Sequence, residues 1–159
     1  MHGLPQLPTA SSPGDSFDAP GAHADHGDGC FGCGADNPIG LGLRYVAGPG
    51  LTVRTSFVPA TSKLRCSGVV PFGLISAILD ESMGTLGALV AKLLHAEHLS
   101  IDCERSVDAR QELTLEAQID EILDGRFHTS GVVRVDGAAD LVATATGVYV
   151  VRQPPAAFR

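Results

Sequence analysis

Residues 71–94 read PFGLISAILDESMGTLGALVAKLL, and the way this stretch folds decides the architecture. It is the one long helical candidate in the sequence and is apolar on nearly every side, which places it inside a core. As a single helix it would run about 35 Å, at ~1.5 Å per residue. Asp80 and Glu81 interrupt the apolar run near its middle, and carboxylates are rarely buried without a partner or a task. At ~100° per residue, Asp80 shares a face with Ser76, Ala77, Gly84, Gly87 and Ala91. Glu81 points instead with Leu74, Ile78, Thr85 and Ala88. The small-residue strip lets a ligand arm or a second subunit come close to Asp80. Asp80 is therefore the first candidate for a general base, and Glu81 the second.

Outward from the helix the period changes from 3.6 to 2. Upstream, Leu41, Leu43 and Tyr45 alternate with polar or small positions, GPG at 48–50 turns the chain, and Val53, Thr55 and Phe57 continue a second strand. Downstream, Leu99–Cys103, Leu113–Ile122, Phe127–Val135 and Leu141–Val151 read as strands. Asp124-Gly125 and Asp136-Gly137 are hairpin signals between them. His95 and His98 are expected at the helix end, where a cation suits the dipole. The order of two strands, one helix and four strands predicts an α+β domain, one long central helix wrapped by an antiparallel sheet of about five to six strands.

With 159 residues the chain is one domain by size. Residues 1–27 are rich in Pro, Gly, Ser and Asp and hold no Lys or Arg, so they read as a disordered arm. Residues 28–153 form the domain, and 154–159 a tail. A net charge of −7 argues against nucleic acid as a partner. No run of about 18 uninterrupted apolar residues predicts a membrane span. The N-terminus lacks the basic and apolar regions of a signal peptide, so the expected compartment is the cytoplasm. Its four cysteines are then expected to stay reduced.

Two further sets of residues invite a chemical reading. Cys30 and Cys33 form a Cys-x-x-Cys pair downstream of His23 and His26, a donor set that zinc would accept. The favoured reading is packing in a glycine-rich turn, with no metal and no organic cofactor. Lys63 and Arg65, before the helix, are candidates for touching a substrate phosphate, against the alternative of a solvated loop. Cys66 reads as a packing residue, and no Gly-x-Ser-x-Gly elbow is present.

The opening CFGCG-x-x-NP-x-GL at 30–41, the core GVVPFGLISAILDESMG at 68–84 and the last strand LVATATGVYVV at 141–151 resemble hotdog-fold thioesterases of the PaaI/4-hydroxybenzoyl-CoA type. The resemblance covers about residues 30 to 152. It implies hydrolysis of acyl-CoA or acyl-carrier-protein thioesters, with homodimers or dimers of dimers and a site between two protomers. The family's His-Gly-Gly at the helix start falls on Pro71, Phe72 and Gly73, and its catalytic acid on Asp80. By the same resemblance, Phe72 and Gly73 N–H groups face the oxyanion, Pro71 and Arg65 fall at substrate-binding positions, and Ser100 of Ser100-Ile101-Asp102 holds the attacking water. The altered helix start leaves a second reading open, a non-catalytic hotdog that binds an acyl thioester or serves assembly. A hydratase would need an Asp-His pair, and Pro71 stands where its His would be.

Overall fold

A computed structural model describes residues 28–59 and 68–152. Among them, six strands form one antiparallel sheet: β1 (Val46–Ala47), β2 (Thr52–Phe57), β3 (Leu94–Cys103), β4 (Leu113–Leu123), β5 (Arg126–Val135) and β6 (Leu141–Val151). Their spatial order is β1-β2-β4-β5-β6-β3, so β3 closes the far edge beside β6. Helix α1 (Phe72–Thr85) lies across the inner face.

The hairpin between β4 and β5 has the geometry its sequence dictates. Asp124 (φ 49°) and Gly125 (φ 76°) both take positive φ, as a two-residue turn matching the twist of the strands requires. Alternation then sorts the side chains. Leu113, Leu115, Ala117 and Ile119 of β4, Phe127, Val133 and Val135 of β5, and Ala143, Ala145 and Tyr149 of β6 are buried. They meet Ile75, Ile78, Leu79, Met83 and Leu86 from the helical segment. Each fully buried side chain of this size stabilises by about 1.5–3 kcal/mol.

Glycines in the sheet set how closely α1 can approach. A Cβ at Gly131 would lie 3.1 Å from Leu79 Cδ2, and one at Gly147 would lie 2.8 Å from Met83 Cε and 2.7 Å from the Tyr149 ring. The helix therefore sits directly over β5 and β6.

Three expectations need correction. The run 71–94 is not one helix: α1 ends at Thr85, residues Leu86–Val90 tighten to a 3-10 turn, and Ala91 takes a left-handed conformation (φ 53°). Lys92 N–H then bonds back to the Gly87 carbonyl at 2.9 Å. Gly87 has no room for a side chain, since a Cβ would sit 2.3 Å from Lys92 O. The final Leu94 opens β3 instead, so His95 and His98 are exposed strand residues and not helix-end cations. Lastly, Leu43 and Tyr45 face the core as their alternation predicts, but only Val46–Ala47 of that segment pairs with β2.

By length and composition, Phe72–Val90 is apolar enough to cross a membrane. Here it changes helix type at Leu86 and packs its Ile75–Ile78–Leu79–Met83 stripe on the sheet, as a core helix does.

Candidate active site

Asp80 lies on the side of α1 nearest β6, half-buried. Tyr149, only 1% exposed, reaches it from β6. The Tyr149 hydroxyl donates to Asp80 Oδ1 at 2.6 Å. Sequence alternation explains the reach. Gly147 and Tyr149 are two apart on the inner face of β6, and the missing side chain at Gly147 leaves room for the ring to lean over it. Burial and the neighbouring Asp80 carboxylate push the Tyr149 phenol well above its ordinary value, so it keeps its proton and serves as a hydrogen-bond donor. Asp80 Oδ2 has no hydrogen-bond partner among the described residues.

Glu81 has a different environment. Its carboxylate lies against the backbone of Gly32, where a Cβ would sit 2.0 Å from Oε2. Burial, then the charge of Asp80, raises its carboxyl above the ordinary value. Glu81 thus underlies the Cys30–Cys33 turn. Burial, a hydrogen bond with Cys30 and adjacent negative charge push the Cys33 thiol up to about 11. Arg44 holds the turn from outside, donating from Nη1 to the Cys33 carbonyl at 2.7 Å. A protonated thiol is a packing group and not a nucleophile. Among the described residues no group of three or more His, Cys, Asp or Glu is placed to hold a metal; His23 and His26 lie outside those residues.

A second tyrosine anchors the opposite flank of the helix. Tyr45 OH and Ser82 Oγ are 3.3 Å apart, and Ser82 donates to the Ile78 carbonyl at 2.7 Å. The two tyrosines thus hold α1 from both sides.

At the start of α1, Pro71 is the N-cap, with φ −63° and ψ 141° and no side-chain cap. The Phe72 and Gly73 N–H groups have no hydrogen-bond partner among the described residues, as expected for the first turn of a helix. The Phe72 ring points outward and is 49% exposed. Beside this terminus opens an apolar pocket of about 430 Å³, lined by Phe31, Leu41, Phe57, Pro71, Leu74 and Ala77 among others.

No protein-family model and no curated protein matches the sequence; solved structures match through the fold. A thioesterase superfamily protein superposes with a TM-score of 0.67 at 20% identity over 74% of this chain, which spans 57% of that protein's length. The Escherichia coli PaaI protein from the phenylacetic acid degradation operon gives a TM-score of 0.64 at 15% identity, covering 71% of this chain and 81% of its own. A Streptococcus mutans protein bound to acetyl-CoA gives 0.63 at 16% identity, covering 69% and 88%. The fold is the hotdog fold.

Within this hotdog the expected site residues separate into groups. Asp80 meets Tyr149, which the sequence reading did not single out; its signal was an inward-facing phenol in the last strand, which needs a polar partner when buried. Phe72 and Gly73 stand seven to eight residues up the same helix from Asp80, about 10–12 Å along the axis. Ser100 is exposed on the outer face of β3, paired with Thr146, while Leu99 and Ile101 turn inward to the core. The chain therefore does not bring Ser100 to its own Asp80. Lys63, Arg65 and Cys66 lie outside the described residues. Of the small residues grouped with Asp80, Ser76, Ala77 and Gly84 share its helix, whereas Gly87 and Ala91 fall beyond the α-helical segment.

Proposed function

We propose that the protein hydrolyses acyl-CoA thioesters at a site shared by two copies of the hotdog. The observation that carries this reading is the half-buried Asp80 carboxylate, held at one oxygen by Tyr149 and without a partner at the other among the described residues. A carboxylate so placed has one fixed orientation and one available oxygen, which suits a general base or nucleophile.

Catalysis also needs donors where negative charge develops on the thioester oxygen. The Phe72 and Gly73 N–H groups suit this role, having no partner among the described residues and lying at the positive end of the helix dipole. They stand about 10–12 Å from Asp80 of the same helix, too far for one carbonyl to touch both. A site using both parts takes the N–H groups from one copy and Asp80 from the other. In that arrangement water activated by Asp80, or Asp80 itself, adds to the thioester carbonyl. The oxyanion rests on the N–H groups and collapses with cleavage of the C–S bond. Where water attacked, the proton that Asp80 drew from it goes to the leaving CoA thiolate, and the acyl group departs as the carboxylic acid. Where Asp80 attacked, a water then hydrolyses the acyl-Asp80 anhydride to release the acid. Ser100 is assigned no step.

A second reading is favoured by Phe72, whose half-exposed ring stands at the helix start where the resembling thioesterases carry glycine: a hotdog that binds acyl thioesters without cleaving them. Thiol release from a panel of acyl-CoA esters, by wild type and Asp80→Asn, separates the two. Hydrolysis lost in Asp80→Asn supports the catalytic reading. Hydrolysis that survives removes Asp80 from the mechanism, and binding without release by the wild type establishes the second reading.

A further inference from the structure

The pocket beside the start of α1 extends the thioesterase reading, on which this inference rests, to the kind of acyl group. Among the described residues its wall is hydrocarbon and backbone, with no charged side chain. Ile39 and Val58, two of its residues, are 72% and 57% exposed, an unusual presentation of apolar surface around one opening. Pro71 and Gly73 belong to the same wall, so the pocket begins beside the N–H groups assigned to the oxyanion.

A thioester carbonyl resting on those groups has two substituents, the sulfur arm of CoA and the acyl group. The CoA arm carries amides and phosphates, which a hydrocarbon wall cannot satisfy. The acyl group is the substituent that fits. At roughly 30 Å³ per water-sized group, comparable to a methylene, about 430 Å³ has space for about a dozen such groups. Acetyl would leave most of that space empty, and a single aromatic ring about half of it.

We propose that the pocket houses a medium-length linear hydrocarbon chain, about eight to twelve carbons by that volume. Affinity and reactivity then grow with each methylene until the pocket is full.

The test is kcat/KM across straight-chain acyl-CoA esters from acetyl to palmitoyl, with phenylacetyl-CoA alongside. The expected series rises about two- to fourfold per methylene and levels between eight and twelve carbons. Ala77→Phe, which fills the pocket, moves the maximum to shorter chains. Ile39→Ser, a change at an exposed position that leaves the fold intact, flattens the rise. A maximum at acetyl or phenylacetyl, or a chain-length profile that Ala77→Phe leaves in place, overturns the proposal. If no ester is cleaved, the hydrolytic reading fails by itself. Calorimetric binding of S-alkyl-CoA thioethers then tests the pocket: affinity rising with chain length supports it, and flat affinity overturns it.

Discussion

The Tyr149 hydroxyl donates to Asp80 Oδ1 at 2.6 Å, linking the last strand of the sheet to the middle of the core helix. Tyr149 is itself buried and leans over Gly147. The sheet thereby fixes the rotamer of the acid. Tyr149→Phe keeps the ring and removes the bond. Hydrogen bonds to charged groups contribute about 1.5–3 kcal/mol. If this one is needed to orient Asp80, kcat falls roughly 10- to 100-fold, while KM stays within about twofold. The check is steady-state kinetics beside thermal unfolding. An unchanged kcat would show that Tyr149 serves packing alone.

That pairing marks the boundary of what the sequence made legible. Asp80 could be singled out because helical geometry and the family resemblance converge on one position. The hairpin at Asp124-Gly125 and the strand at Leu141–Val151 were legible because turn chemistry and alternation are local. The end of α1 was not. LGALVAKLL is apolar whether it runs as helix or strand, and a short apolar run carries no period that separates the two. The chain reverses locally, with Ala91 left-handed and Lys92 N–H bonded back to the Gly87 carbonyl, at a residue type that does not advertise positive φ. Tyr149 was missed for a different reason: its partner lies 69 residues away.

Glu81 gives a pH dependence of stability. Its carboxyl is raised from 4.5 by burial and by Asp80, so the folded state holds this proton more tightly than the unfolded chain does. Stability from the protonated form is full below the unfolded value and is lost as pH rises through the folded one. Glu81→Gln removes the ionisation. Its melting temperature should match the wild type below about pH 4.5 and exceed it above, by a margin that grows until the pH passes the folded value and then holds constant. Parallel melting curves across that range would show that Glu81 is not penalised by folding.

The Cys33 thiol, pushed up from 9.0 to about 11, should be slow to alkylate. The two-unit rise lowers the thiolate fraction at neutral pH about a hundredfold relative to an ordinary thiol. Peptide mapping after timed iodoacetamide treatment should find the exposed Cys103 labelled well before Cys33. Equal labelling rates would mean that the Cys30–Cys33 turn opens readily from Glu81.

The separation of about 10–12 Å between Asp80 and the first N–H groups of α1 makes a prediction that single variants cannot. Phe72→Pro deletes, at the first helical position, one of the two N–H groups proposed for the oxyanion. There proline is well tolerated, and the preceding residue, Pro71, is already extended at ψ 141°. The loss of one such donor should lower kcat about 10²- to 10³-fold with little effect on melting. Asp80→Asn should be inactive by itself. In a mixed dimer of the two variants, one of the two shared sites carries both defects and the other carries neither. Unfolding and refolding an equimolar mixture gives half mixed dimers, so about a quarter of wild-type activity should return. Neither variant refolded alone should exceed its own residual activity. Failure of the mixture to recover activity, with mixed dimers confirmed by native mass spectrometry, would show that Asp80 and the helix start do not cooperate across two copies.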